Sequence, residues 1–151
     1  METLVRRLGR IFSEKKYFLH RRVPVSHRKE NLLEQTLSAW ITRKGWRAPY
    51  RTLSEAADAL DTDTVTLHHY FDRRVGLDFR TWRTRLRVED AKGLLLGEPE
   101  TAISTIARRV GFSDRSNFSR QFLFHTGMTP AEWRKEAGRS HDIPAPENDY
   151  V

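Results

Sequence analysis

Residues 101–135 read TAISTIARRVGFSDRSNFSRQFLFHTGMTPAEWRK, and this one stretch holds a helix, a tight turn, a second helix and a stop in order. Ile103, Ile106, Ala107 and Val110 recur at i, i+3, i+4 and i+7, the spacing of a single apolar stripe on a short helix. Gly111 is placed to end that helix, because glycine enters a left-handed turn at the least steric cost. Ser113 or Asp114 is placed to cap the next helix by accepting a bond from an unpaired backbone N–H. In that helix Phe118 and Phe122 face inward at i and i+4, which leaves Arg115, Ser116, Ser119 and Arg120 on a polar, basic outer face. Gly127 and then Pro130 close the unit, since glycine supplies a C-terminal cap and proline starts a helix better than it continues one. The pattern predicts a helix-turn-helix.

The same spacing occurs again upstream. Leu67, Phe71, Gly76, Trp82 and Arg83 match Phe118, Phe122, Gly127, Trp133 and Arg134 at a constant offset of 51 residues. Leu53, Ala56, Ala57 and Leu60 match Ile103, Ile106, Ala107 and Val110 at an offset of 50, which puts a one-residue insertion in the second turn. Two copies of one supersecondary unit are therefore expected. The first copy has Asp61 where the second has Gly111; aspartate enters the left-handed region less freely, so the first turn is expected to be strained or differently shaped. Asp63 should cap a recognition helix over 64–74. At about 100° per residue from inward-facing Leu67, Val65 and His69 fall almost opposite the core, with His68 beside them.

GFSDRSNFSRQF and GMTPAEWRK, the repeat, and the RLRVEDAKGLLL stretch between the copies together resemble the DNA-binding domain of the AraC/XylS family of bacterial transcription regulators, over roughly residues 31–135. The resemblance implies an all-α fold of two helix-turn-helix subdomains joined by a long linker helix, with two recognition helices in successive major grooves of double-stranded DNA. The candidate DNA-binding residues are Val65, His68 and His69 in the first copy, and Arg115, Ser116, Asn117, Ser119 and Arg120 in the second. Arg115 and Arg120 carry planar forks suited to guanine, and Val65 suits a thymine methyl group. Ser116, Asn117 and Ser119 can bond to bases, phosphates or water. RNA polymerase is a further expected partner, and a homodimer or a fusion to a sensor domain are open alternatives.

Between the copies, residues 78–96 lack proline and carry Phe79, Trp82, Leu86, Leu94 and Leu95 as anchors, which predicts one helix. At about 1.5 Å per residue it would span about 28 Å, near the ~34 Å helical repeat of the duplex. Arg80, Arg83 and Arg87 are spaced to meet phosphates, but the repeat and motif positions of Arg83 and Arg87 suggest structural pairing with carboxylates, so these two are not counted as contacts. Upstream, Leu32, Leu33, Thr36, Trp40 and Ile41 predict a helix over 29–44 closed by Gly45. The pattern WITRKGW, then proline, then RTLSEAA resembles the entry to this domain in family members that end a longer, membrane-attached sensor chain.

Residues 1–27 read as an amphipathic helix and linker: Leu4, Val5, Leu8, Ile11 and Phe12 form a stripe flanked by Arg6, Arg7 and Arg10, and Pro24 breaks it. Residues 28–137 form the double helix-turn-helix domain, and 138–151 a disordered tail. Over the 151 residues, 27 Lys and Arg against 20 Asp and Glu give a net charge of +7, which favours a polyanionic partner. The chain has no cysteine, which excludes disulfides, thiol catalysis and thiolate-bound zinc and fits a cytoplasmic location. No metal or cofactor is expected, since adjacent His68 and His69 point about 100° apart and no third ligand stands at zinc-like spacing. No nucleophile, base and orienting group occur in a catalytic pattern, so an enzyme is not expected. The competing readings are the output module of a membrane-attached sensor and a protein-interaction module with weak DNA binding.

Overall fold

A computed structural model describes residues 26–50 and 52–141, with side chains to Glu136. Among these residues seven α-helices follow one another, and no strand occurs. They are α1 (His27–Thr42), α2 (Leu53–Ala59), α3 (Thr64–Tyr70), α4 (Phe79–Gly97), α5 (Ile103–Arg109), α6 (Arg115–Thr126) and α7 (Pro130–His141). The chain divides into two units between Arg87 and Val88, inside α4. The all-α class and the single long helix between the copies agree with the sequence. The amphipathic stripe of residues 4–12 lies outside the described residues. So do residues 142–151 of the expected tail, whereas residues 138–141 belong to α7.

The first unit is built on aromatic side chains. Trp82 of α4 stacks on Trp40 of α1 at 5.9 Å and meets Phe71 at 5.0 Å, and all three are fully buried with Leu67 and Tyr70. Such rings bury large apolar areas and interlock at these distances. Trp40 also explains Gly45. Helix α1 ends at Thr42, and Lys44, not Gly45, takes the left-handed conformation at φ +56°. A Cβ on Gly45 would fall 2.3 Å from the Trp40 indole, so the glycine is there to let that ring pass. The predicted helix over 64–74 is α3 followed by a π-helical turn, Phe71–Val75, which Gly76 closes at φ +75°.

The second unit repeats the plan. Phe118 and Phe122 of α6 share a core with Ile106 and Ala107 of α5 and with Val110 just after it, as the apolar stripes require. Val88, Ala91 and Leu95 of α4 close this core, and Trp133 of α7 meets Phe122 at 6.0 Å. Gly127 ends α6 at φ +77°. Thr129 and Glu132 then form a reciprocal capping box at the start of α7, with the Thr129 N–H donating to Glu132 at 2.7 Å and the Glu132 N–H donating to Thr129 at 3.2 Å.

The duplication extends to the hydrogen bonds. Arg83 donates to the carbonyl of Tyr50 at 3.4 Å, and Arg134 donates to the carbonyl of Thr101 at 2.7 Å; donors and acceptors are each 51 residues apart. Arg87 donates to the carbonyls of Trp46 at 2.6 Å and Ala48 at 2.8 Å. Arg83 and Arg87 are thus structural, but these bonds run to backbone carbonyls and not to the carboxylates expected. Burial, and then the neighbouring Arg83, pushes the Arg87 guanidinium down to about 10, which leaves it charged at neutral pH.

The two turns also match. Asp61 adopts φ +52° where Gly111 adopts +102°. After each, the next N–H bonds to the carbonyl five residues back, Thr62 to Ala57 at 3.0 Å and Phe112 to Ala107 at 2.9 Å. The expected difference in the first turn is therefore absent from its bonding: aspartate takes the left-handed position that glycine takes in the second copy.

Candidate nucleic-acid interface

The second helix of the second copy is α6, and Asp114 fixes where it starts. Its carboxylate accepts the Asn117 N–H at 2.7 Å and so satisfies one of the donors that a helix start leaves unpaired. With Phe118 and Phe122 turned into the core, Arg115, Ser116 and Arg120 are exposed, and Asn117 and Ser119 are half-buried beside them. Arg120 donates to the Asn117 side chain at 3.4 Å, a long contact across one turn of the exposed face. All five sequence candidates of this copy thus lie at one outer surface of α6. Its two guanidinium forks present charge and paired donors without a carboxylate partner of their own among the bonds of these side chains.

The first copy starts in the same way. Asp63 accepts the Thr66 N–H at 2.7 Å and the Thr66 hydroxyl at 2.9 Å. The Thr66 N–H, helped by its hydroxyl and by Lys29 against partial desolvation, holds the Asp63 carboxyl below the usual range. Val65 is 50% exposed, and His68 is exposed. His69 departs from its expected position. Its side chain is only 13% exposed, and Nδ1 lies 3.2 Å from a carboxylate oxygen of buried Glu30 on α1, at ion-pair distance but not aligned for a hydrogen bond. The reason lies in Thr66 and Tyr70, which are buried along with Leu67. At about 100° per residue both fall on the His69 side of Leu67, so the centre of the buried arc is displaced toward His69. Burial of a threonine is the signal that counting from the leucine alone overlooks.

Other cations complete the picture. Arg80 is exposed, whereas Arg83 is half-buried and Arg87 buried. Arg73 and Arg108 are also exposed, and sequence reasoning did not single them out. Arg109 is paired with Glu98. Among the described residues no group of three or more His, Asp or Glu side chains is placed to hold a metal ion, and no helix is long and apolar enough to cross a membrane.

A family model for a helix-turn-helix domain matches residues 56–136, more than half of the chain. The arabinose operon regulatory protein of Escherichia coli is 41% identical over 68 residues, 45% of this chain and 23% of that protein. The transcriptional activator RhaR of Yersinia pestis is 38% identical over 80 residues, 53% of this chain and 27% of that protein. The chain thus spans about a quarter of the length of these curated relatives. Among solved structures, the C-terminal domain of AraT, a response regulator from Geobacillus stearothermophilus, is similar with a TM-score of 0.62 and 25% identity, covering 82% of this chain and 96% of that one. The C-terminal domain of the response regulator yesN from Fusobacterium nucleatum has a TM-score of 0.57 and 29% identity, covering 72% of this chain and 99% of that one.

Proposed function

This chain belongs to the AraC-type helix-turn-helix family, and on that premise we propose that it is the DNA-binding part of a transcription regulator that reads a two-part site in double-stranded DNA. The observation that carries the reading is the duplication itself: two recognition helices, each capped by an aspartate at 2.7 Å, each with an outer face that its own core does not use. In the second copy Arg115 and Arg120 read base edges, with Ser116, Asn117 and Ser119 bonding to bases or phosphates. In the first copy Val65 and His68 face outward. Lysines and arginines supply most of the affinity through phosphates, and the side chains on α3 and α6 supply the choice of sequence. The two helices enter successive major grooves, a reading supported by the 19-residue helix between the copies. No catalytic role is part of this reading. Selection of bound duplexes from a random pool tests it: a motif in two parts is expected, and failure to enrich any sequence would overturn the proposal.

One observation favours a protein contact in addition. At the end of α6, Leu123 is 46%, Phe124 80% and Met128 38% exposed. The first copy has Asp72 and Arg73 in register with Leu123 and Phe124, so the fold itself does not demand apolar residues there. RNA polymerase is the partner through which such a regulator acts, and this patch is a candidate for that contact. Phe124→Ala should then lower transcription from a regulated promoter in vitro while leaving DNA affinity unchanged. Equal loss of both would remove the patch from consideration.

A further inference from the structure

Helix α1 holds the first recognition helix through two consecutive residues, Lys29 and Glu30. Lys29 Nζ lies 3.1 Å from the capping carboxylate of Asp63, at the start of α3. Glu30 is 5% exposed, and its two oxygens are divided between the last turn of α3 and the π-helical turn that follows: one is 3.2 Å from His69 and the other 3.3 Å from Arg74. The Lys29 contact is exposed and weakly held. The Glu30 carboxylate is buried and His69 nearly so, while Arg74 is half-exposed. Turning His69 outward takes a polar ring away from one oxygen of that buried carboxylate, which is costly for a charge shielded from water.

The second copy provides the comparison. The residue in register with His69 is Arg120, which is exposed and bonded to Asn117 on its own helix. The same helical position is therefore presented outward in one copy and drawn against a neighbouring helix in the other. The difference originates in α1, which precedes the family-matched span of residues 56–136.

We propose that Glu30 is a positioning residue that decides which side chains the first recognition helix offers to DNA: it keeps His69 away from base edges and leaves Val65 and His68 as the readers of that copy. The inference rests on the DNA-binding reading above. It follows that the first copy reads fewer bases than the second, and that the limit is set by a residue outside either helix-turn-helix.

The test compares motifs selected from random duplex DNA by the full 151-residue chain and by Glu30→Ala, His69→Gln and a double variant of Glu30 and His69, with helical content checked by circular dichroism. The half-site of the first copy is identified as the one that Arg120→Ala leaves unchanged. His69→Gln should select the same motif as the wild type. Glu30→Ala should alter the preference at one position of the first half-site by about tenfold, the scale of one base contact. Combining Glu30→Ala with His69→Ala, which unlike glutamine carries no group to read a base edge, should restore the original preference, which a merely structural effect of losing Glu30 would not do. A motif changed by His69→Gln alone would overturn the proposal, as would an unchanged motif with folded Glu30→Ala. If Glu30→Ala does not fold, His69→Gln decides by the same criterion. Absence of any motif with the wild type would instead count against DNA reading as a whole.

Discussion

Asp63 and Asp114 occupy one place in the two copies and do the same work, each accepting an N–H three residues ahead at 2.7 Å. Replacing either with alanine should cost about 1 kcal/mol of stability, the usual loss for such a cap. Asp63 also carries a pH signature. Its carboxyl is held below the ordinary range, chiefly by the Thr66 N–H, so folding favours its charged form. The contribution is complete above the unfolded carboxylate value of about 3.9 and is lost as pH falls through the lower folded value. Asparagine caps nearly as well and does not titrate. Denaturant melts of wild type and Asp63→Asn should therefore show the wild type losing ground to the variant between neutral pH and about pH 3. A stability difference that does not change with pH would show that the cap bond survives protonation. On the outer face of α6, Arg120→Ala should weaken DNA binding by about 1–3 kcal/mol and relax the preference at one base position. Uniform weakening across all sequences would mark Arg120 as a phosphate contact.

Whole elements depend on a few backbone and packing demands. The turn between α2 and α3 places Asp61 at φ +52°, and the matching turn places Gly111 at +102°. A non-glycine residue there carries a steric cost of roughly 1–2 kcal/mol, eased for aspartate by its short polar side chain. Asp61→Gly should be neutral or mildly stabilising, whereas Gly111→Ala should destabilise by about 1–2 kcal/mol. Thermal melts of the two variants decide it, and equal losses would mean that Asp61 makes an interaction stronger than its strain. In the first unit, α1 and α4 are joined through Trp40 and Trp82 at 5.9 Å. Trp82→Ala should cost about 3–5 kcal/mol. Hydrogen exchange should report the loss first in residues 27–87, because the second core, from Val88 to Phe122, shares none of those side chains. Gly45→Ala should act on the same element, since its new Cβ would meet the Trp40 ring.

At the scale of the whole chain, a net charge of +7 is divided between cations that hold the fold and cations available to a ligand. Arg83, Arg87 and Arg134 donate to backbone carbonyls, whereas Arg80, Arg108, Arg115 and Arg120 are exposed. The exposed group makes binding to duplex DNA an exchange of counterions for side chains. The logarithm of the binding constant should fall linearly with the logarithm of salt concentration, at a slope of about −0.9 per phosphate contacted. Replacing Arg80 with alanine should reduce that slope by about one. A flat salt dependence for the unaltered chain would rule out direct duplex binding.

The amino-acid sequence by itself determined the duplicated unit, the positions of both turns, the Asp63 cap and the inward-facing pairs Leu67–Phe71 and Phe118–Phe122, and it narrowed the second cap to Ser113 or Asp114. Each of these follows from local rules of periodicity, capping and glycine geometry that act within a few residues, and two copies of the pattern reinforce one another. It also determined the outer face of α6, because Phe118 and Phe122 define its inward side without help from another helix. Only the tertiary structure decided where His69 goes, what holds Arg83 and Arg87, and why residue 45 is a glycine. His69 answers to Glu30, 39 positions earlier, and Arg87 to carbonyls about 40 positions earlier. Gly45 answers to a ring that also packs on α4. These are contacts between elements distant in sequence, and neither spacing nor residue type along one helix encodes which neighbour will lie against it.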